Sequence, residues 1–276
     1  MKIYETTSEA YLGSLADVYD NPDFVSSPRG QRTREKLDYC FRVTDPTTRI
    51  IITKDPERNK VIEDYTIKEC ELYDSMTNLA IDFGTASKFW LKLANPDGTV
   101  NSGYGYNIWK KESHGNDFEL NLVEHPQFTT RAEQQRVLSG PHEMREGKVF
   151  VHRTKMRTPW EWAKESLVRD KDTRQAILRF NLPEHAGFGN KDFTCTMHGI
   201  FLIREDKLNF SVNMRSNDLT LGLVYDMPWF VSLMYRMRDE LKDVYPELKI
   251  GYYTHNVHSL HIYDRDEEKI LKMLGR

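Results

Sequence analysis

The sequence has no long apolar run and few cysteines. No stretch approaches the roughly 18 consecutive apolar residues that a membrane-spanning helix needs, and the N-terminal residues MKIYETTSEAYLGSL lack the apolar core of a signal peptide. The cysteines Cys40, Cys70 and Cys195 are odd in number and far apart, so a disulfide framework is not expected. These absences predict a cytoplasmic protein in a reducing compartment, without a membrane partner.

Basic and acidic residues are nearly balanced in number. The formal net charge is −3, from 39 basic and 42 acidic residues spread along 276 positions. The chain has no basic arm, so we expect no nucleic-acid partner. It also has no phosphate-loop lysine motif and no glycine-rich dinucleotide fingerprint, which argues against a kinase or a dehydrogenase.

Strands and helices are interspersed without strict alternation, which predicts one α+β domain over residues 1–276 with a mixed sheet. The residue pattern at 65–80 predicts a helix. In TPWEWAKESLVRD, a Thr–Pro start with a capping box predicts another. The stretch CTMHGIFLIREDKLNFSVNMRSND predicts a β-hairpin that turns at Glu205 and Asp206. LKIGYYT and SLHIY predict two more strands, and DEEKILKML predicts a final helix.

An apolar stripe at helical spacing follows Pro228, so Asp226 is predicted at or next to the N-cap of a buried helix. Three histidines, His255, His258 and His261, invite a zinc interpretation. However, residues three apart in a strand point to opposite faces, so no metal site is expected.

Cys195 and Arg215 lie about ten residues on either side of the hairpin turn, near the same end of the sheet. Two interpretations of Cys195 remain open from the residues alone. A cysteine entering an apolar strand is usually a small buried hydrophobe, whereas a nearby arginine can lower the thiol pKa for nucleophilic catalysis. Glu69, Arg29 and Arg174 are ordinary surface residues by default.

Seven motifs in order give the chain, from about residue 25 to about 265, a resemblance to the thymidylate synthase superfamily. CTMHGIFLIREDKLNFSVNMRSNDLTLGL matches a strand cysteine followed twenty residues later by an Arg-Ser…Asp element. The others are SPRGQRT, a phosphate-binding loop; KECELYDS, the glutamate helix; KFWLKL, a tryptophan segment; NSGYGYNIW, a tyrosine segment; DKDTRQA, a partner-subunit arginine; and SLHIYDRD, a His-x-Tyr element. Within the superfamily, the sequence is similar to the deoxycytidylate (dCMP) hydroxymethylases of bacteriophages.

The resemblance implies a mixed sheet flanked by helices, a sheet-to-sheet homodimer, and a pyrimidine nucleoside monophosphate substrate with 5,10-methylenetetrahydrofolate as co-substrate and no metal. Cys195 would be the nucleophile, and Glu69 and Tyr104 would move protons. Trp90, Asp218 and Glu69 would face the folate. The nucleotide would be held by Arg29, Arg215, Ser216, Asn217, Asp226, His261 and Tyr263, together with Arg174 of the second subunit.

Asp226 stands where thymidylate synthases have asparagine, and this change predicts cytosine as the base. An amide meets both the N–H donor and the carbonyl acceptor of uracil, whereas a carboxylate can accept from the cytosine amino group. The resemblance therefore implies hydroxymethylation of dCMP, with water adding to a methylene intermediate.

Four departures from the family pattern are present: Thr194 replaces the proline before the nucleophile, Thr196 replaces the histidine after it, Gln175 replaces a second partner arginine, and KILKMLGR replaces an apolar C-terminal tail. The last departure favours hydroxymethyl over methyl transfer. The alternatives are dCMP methylation, a dUMP substrate, CMP hydroxymethylation, and a regulatory nucleic-acid-binding homologue.

Overall fold

The computed structural model describes residues 1–47, 50–113, 117–123, 142–145, 148–153 and 156–276. At its centre is one mixed sheet of eight strands, and a separate antiparallel sheet has three. The strands, in chain order, are β1 (Lys2–Tyr4), β2 (Phe24–Ser26), β3 (Thr33–Val43), β4 (Asp117–Val123), β5 (His142–Arg145), β6 (Lys148–Arg153), β7 (Ile177–Arg179), β8 (Thr196–Arg204), β9 (Lys207–Met214), β10 (Asn217–Asp218) and β11 (Lys249–Tyr263).

The large sheet has the order β1-β3-β11-β9-β8-β7, with β2 paired to β3 and β10 paired to β11. The β1–β3, β9–β11 and β10–β11 pairs are parallel, and the other pairs of this sheet are antiparallel. The small sheet has the order β4-β6-β5. The predicted α+β fold with a mixed sheet is confirmed.

The described helices and the core lie on one face of the large sheet. Alternate strand residues such as Phe41, Phe201 and Val212 are fully buried on that face, whereas Cys40 and Asn213 on the other face are half-buried. The helices are α1 (Thr7–Asp20), α2 (Pro56–Asp74), α3 (Ala80–Phe83), α4 (Phe89–Leu93), α5 (Pro159–Arg169), α6 (Val224–Glu240) and α7 (Glu267–Leu274).

Three predicted elements agree closely with the structure. The hairpin β8–β9 turns at Glu205 and Asp206, whose φ angles of 49° and 56° give the left-handed turn that matches the strand twist. Helix α5 begins with the expected capping box, in which Thr158 accepts from the Glu161 N–H at 3.2 Å. Helix α7 is the predicted final helix.

Two predictions of element bounds are wrong, one for a helix and one for a pair of strands. Helix α2 begins nine residues before the predicted start because Asp55 accepts from two N–H groups of its first turn and Pro56 occupies the first position. It ends at Asp74, and Ala80 belongs to α3. The two strands predicted near the C-terminus are one continuous strand, β11, because β3 pairs with its whole second half while β9 pairs with the first.

Candidate active site

The hairpin β8–β9 brings Cys195 and Arg215 together, as expected from their spacing. Cys195 lies immediately before β8 and Arg215 immediately after β9, and the Arg215 N–H donates to the Cys195 carbonyl at 2.9 Å. The Arg215 guanidinium lies 3.4 Å from Cys195 Sγ. It also donates to the carbonyls of Phe193 and Thr194, so the charge is fixed beside the sulfur.

Burial nevertheless decides the resting state of the thiol. Burial raises the Cys195 pKa to about 11, although Arg215 and Arg29 lower it. The carboxyl groups of Asp226 and Asp192 oppose the two arginines. The resting protein therefore holds a neutral thiol, and Arg215 reduces the cost of forming the thiolate rather than producing it.

Glu69 lies on the inner face of α2 and is buried, with 6% of its surface exposed. The hydroxyl of Tyr65, one helical turn earlier, donates to Glu69 Oε1 at 3.1 Å, and the Trp90 indole N–H donates to that hydroxyl at 3.0 Å. Burial, followed by the neighbouring Asp226 carboxyl, raises the Glu69 pKa to about 8. Glu69 therefore carries a proton near neutral pH and is able to give it up.

Tyr104 lies in the core with its hydroxyl aligned by Thr196, which donates to it at 2.9 Å. Its ring stacks on Tyr73, with centroids 5.3 Å apart. Burial raises the Tyr104 pKa well above its usual value, so the hydroxyl keeps its proton. In the sequence, Thr196 is a departure from the family pattern. Its hydrogen bond to Tyr104 shows that it aligns the Tyr104 hydroxyl.

The prediction that Asp226 lies at or next to the N-cap of a buried helix is wrong. A short π-helical turn, Leu219–Leu223, precedes α6, so Asp226 is the third residue of the helix itself. Asp218 caps instead, because its Oδ1 accepts the N–H groups of Thr220 at 2.7 Å and Leu221 at 3.3 Å. The Asp226 carboxyl is free of capping, and its side chain is half-buried next to the core.

Burial raises the Asp226 pKa to about 7, while the neighbouring Asn217 side chain lowers it. The Asp226 charge in turn raises the pKa of Glu69, Tyr104 and Cys195. These four groups, which come from four separate segments of the chain, therefore share one buried space. They provide a sulfur nucleophile, a phenol and two carboxyls that hold protons near neutral pH.

The short parallel pair β10–β11 places Asp218 opposite His261. The His261 and Tyr263 rings meet edge to face at 5.4 Å. Burial raises the Tyr263 pKa, and among its charged neighbours Arg29 lowers this pKa while Cys195 raises it. Arg29 itself is exposed in a left-handed turn with φ 53°. Ser216 is half-buried between Arg215 and β10, whereas Asn217 is buried, with 3% of its surface exposed.

Arg174 lies at the opposite end of the sheet from Cys195. The Phe201 N–H donates to the Ala176 carbonyl, which places Arg174 near the far end of β8. At about 3.4 Å per residue, the length of that strand separates the two residues by roughly 25–30 Å. Arg174 is exposed and cannot reach Cys195 of its own chain.

The three histidines of β11 lie apart, as the strand geometry predicts. His255 is fully buried, whereas His258 points outward and pairs with Asp38 at 2.7 Å. Within the described residues, no group of three or more His, Cys, Asp or Glu side chains is arranged to hold a metal ion. Among the described helices, none has both the length and the apolar character that a membrane crossing requires.

Comparison with known proteins places this site in context. The chain is 26% identical over 250 residues to the deoxycytidylate 5-hydroxymethyltransferase of Enterobacteria phage T4. The aligned region covers 88% of this chain and 80% of that relative. It is 24% identical over 276 residues to the deoxyuridylate hydroxymethyltransferase of Bacillus phage SP01, covering 97% of this chain and 61% of that protein.

The fold matches the thermostable thymidylate synthase A from Bacillus subtilis, with a TM-score of 0.63 over 98% of this chain and 84% of that chain, at 17% identity. This confirms the thymidylate synthase-like fold expected from the motifs. The sequence model of the thymidylate synthase family matches residues 9–276. The chain therefore belongs to the thymidylate synthase family.

Proposed function

We propose that the protein transfers a one-carbon unit from 5,10-methylenetetrahydrofolate to carbon 5 of dCMP, with addition of water, to give 5-hydroxymethyl-dCMP and tetrahydrofolate. The observation that carries this proposal is the carboxyl of Asp226, which lies close to Cys195, Glu69 and Tyr104. Membership of the thymidylate synthase family makes the chain a one-carbon transferase that acts on a pyrimidine nucleotide.

The choice of cytosine rests on Asp226. Position 4 of cytosine is an amino donor and N3 is an acceptor, so a carboxyl group meets both when one proton lies between it and N3. A carboxylate facing uracil would meet the carbonyl at position 4 and leave a buried mismatch of about 1–3 kcal/mol. The T4 relative is named for a deoxycytidylate activity, which supports this choice, and the SP01 relative is named for deoxyuridylate.

Cys195 begins the reaction. Its thiolate, stabilised by Arg215 3.4 Å away, forms a bond to carbon 6, and the electron pair of the C5–C6 double bond moves to carbon 5. Carbon 5 then bonds to the one-carbon unit supplied by the folate. Loss of the proton from carbon 5 and cleavage of the carbon–nitrogen bond to the folate leave a methylene group on carbon 5.

Water completes the product. A water oxygen bonds to the exocyclic methylene, the C5–C6 double bond reforms, and the Cys195 sulfur leaves carbon 6. Glu69 orders this water and exchanges protons with it, because its pKa of about 8 lets it serve as acid or base near neutral pH. The Tyr104 hydroxyl, aligned by Thr196, assists proton loss at carbon 5.

The remaining residues bind the nucleotide and the folate. Arg29, Arg215 and Ser216 hold the 5′-phosphate, because two arginines already converge near Cys195. His261 and Tyr263 hold the sugar hydroxyl. Trp90 and Asp218 border the folate, although the Asp218 carboxyl also caps the turn before α6.

The protein acts as a homodimer that pairs the outer faces of the two large sheets, and Arg174 completes the phosphate site of the partner. Half-buried polar and apolar side chains on that face, among them Asn213 and Ile200, suit such an interface. Because Arg174 and Cys195 of one chain lie far apart, Arg174 cannot contribute to the active site of its own chain.

Mass spectrometry of the products tests the proposal. The protein is incubated with methylenetetrahydrofolate and, separately, dCMP, CMP and dUMP, in ordinary water and in water enriched in heavy oxygen. We expect dCMP to give the hydroxymethyl product carrying solvent oxygen. Release of 5-methyl-dCMP and dihydrofolate would show a methylase, and equal turnover of dUMP and dCMP would contradict the role of Asp226. Cys195→Ala, which retains the hairpin, should abolish all turnover.

A further inference from the structure

The proposed function, on which this inference rests, leaves unexplained how Asp226 selects cytosine over uracil. The Asp226 pKa is about 7, so much of the protein holds a neutral carboxylic acid at this position near neutral pH. A neutral carboxyl can pair with either base, because its proton can sit on either oxygen. Selecting cytosine therefore requires something that fixes which Asp226 oxygen stays unprotonated.

The side chain of Asn217 lies next to the Asp226 carboxyl. Both groups border Gly222, where a Cβ would come within 2.4 Å of Asn217 Oδ1 and 3.2 Å of Asp226 Oδ2. The Asn217 amide is buried, and its Oδ1 has no hydrogen-bond donor among the described residues. A buried amide oxygen without a donor is the costly arrangement of this side chain.

His255 lies on the other side of the same amide. Its Nε2 is 3.5 Å from Asn217 Nδ2, and its Nδ1 is 2.7 Å from the hydroxyl of Tyr253. The ring is fully buried and stacks on Phe41 at a centroid distance of 5.2 Å, which fixes its plane. Burial lowers the His255 pKa to about 3, so the ring is neutral and only one nitrogen carries hydrogen.

We propose that Asn217 is the positioning residue of Asp226: its amide donates to Oδ2 of Asp226 and accepts from His255, and so keeps the proton of a neutral Asp226 on the other oxygen. Turning the amide by half a turn exchanges its oxygen and nitrogen, and gives up the weak hydrogen bond from Asn217 Nδ2 to Met214 Sδ at 2.8 Å. In that orientation Tyr253 donates to His255 Nδ1, His255 Nε2–H donates to Asn217, and Asn217 donates to Asp226. Each donor meets an acceptor, and Oδ2 is ready to accept the amino group of cytosine.

The chain Tyr253–His255–Asn217 is a polar, uncharged part of the surroundings of Asp226. The titratable groups that face Asp226 from the neighbouring elements are Glu69 and Tyr73 of α2, Tyr104, Cys195 before β8, Asp218 of β10 and Tyr253 of β11. None of these groups is a cation. Among these described groups no positive charge competes with the Asn217 amide, so removing the amide should change the pH at which Asp226 ionises.

The hydrogen bonds can be tested in the nucleotide-free protein, independently of turnover. Nitrogen NMR of His255 should show hydrogen on Nε2, and a ring with hydrogen on Nδ1 would overturn the inference. Carboxyl carbon NMR should show that Asn217→Leu raises the pH at which Asp226 ionises by about one unit, because a donor to the carboxylate is lost. An unchanged ionisation of Asp226 in that variant would also overturn it.

Kinetics test the consequence for specificity. In Asn217→Leu, the ratio of kcat/KM for dCMP to that for dUMP should fall about tenfold, and Tyr253→Phe should lower it less, in the same direction. Asn209→Ala is the matched control, since it removes another buried amide, which donates to the Leu202 carbonyl at 3.2 Å. Equal ratios in Asn217→Leu and Asn209→Ala would contradict the positioning role. A wild-type protein without preference for dCMP would contradict the proposed function. The NMR experiments would still test the hydrogen bonds of Asn217.

Discussion

Arg215 contacts the sulfur of Cys195 at 3.4 Å while its guanidinium is anchored on two backbone carbonyls, those of Phe193 and Thr194. The anchoring keeps a full positive charge beside a thiol whose pKa burial raises to about 11. The site thus combines a protected, neutral resting nucleophile with a fixed charge that favours its ionised form.

Arg215→Met should slow alkylation of Cys195 about tenfold at mildly alkaline pH, because raising a thiol pKa by one unit lowers the thiolate fraction tenfold. The measurement is the rate of iodoacetamide labelling, read peptide by peptide. Cys40 and Cys70 serve as internal references. Arg204→Met, at the far end of β8, is the matched control and should leave the rate unchanged. Equal rates for the two variants would show that Arg215 does not act on the sulfur.

Glu69→Gln should flatten the dependence of stability on pH. Its carboxyl pKa rises from 4.5 to about 8 on folding, so the folded state binds more protons than the unfolded chain between these values. Stability is therefore highest below the lower value and falls as the pH rises towards the higher one, by at most about 1.4 kcal/mol per pH unit. Urea unfolding at a series of pH values measures this slope.

The exposed Glu63 on the same helix supplies the control for that experiment. Glu63→Gln should keep the wild-type slope. If Glu69→Gln kept it too, the buried carboxyl of Glu69 would not be the group that titrates.

Thr196→Val should destabilise the protein by about 1–2 kcal/mol, because the buried Tyr104 hydroxyl loses the hydrogen bond that it accepts at 2.9 Å. We also expect turnover to fall, since the phenol is no longer aligned. A double-mutant cycle with Tyr104→Phe, measured by urea unfolding and by kcat, isolates the pair. Additive effects of the two changes would argue against coupling between these hydroxyls.

Asp226→Asn should shift the preference from dCMP towards dUMP. An amide satisfies the donor and acceptor of uracil, and the change in the ratio of kcat/KM values should be about ten- to a hundredfold. The exposed Asp64 provides the control, because Asp64→Asn alters the same net charge without touching the site. A variant with the wild-type base preference would remove Asp226 from base recognition.

Mixing two inactive variants tests the shared site. Cys195→Ala and Arg174→Ala, refolded together in equal amounts, should regain activity in mixed dimers, where one site receives both intact residues. Random pairing would restore about a quarter of the sites. Variants that remain inactive after mixing would mean that Arg174 does not cross a subunit interface, whereas Lys171→Ala in place of Arg174→Ala should be active on its own.

The residue pattern alone predicted much of the fold. The α5 capping box, the β8–β9 hairpin and the final helix are local features, set by hydrogen bonds within a few residues and by the side-chain period. The motif order predicted the family as well, because the residues of the site recur at fixed places along the chain. The start of α2 was missed although its Asp-Pro signal was present, and the single long strand β11 was missed because its continuity depends on the strands at its sides.

The tertiary structure decided the chemistry of the site. The sequence determined that Cys195, Glu69, Tyr104 and Asp226 are present, but not that burial raises the pKa of each of them. It could not show that Asp218 caps the turn and leaves the Asp226 carboxyl free of capping. Desolvation and hydrogen bonding between distant segments depend on which side chains meet in space, and the order of residues along the chain does not specify that.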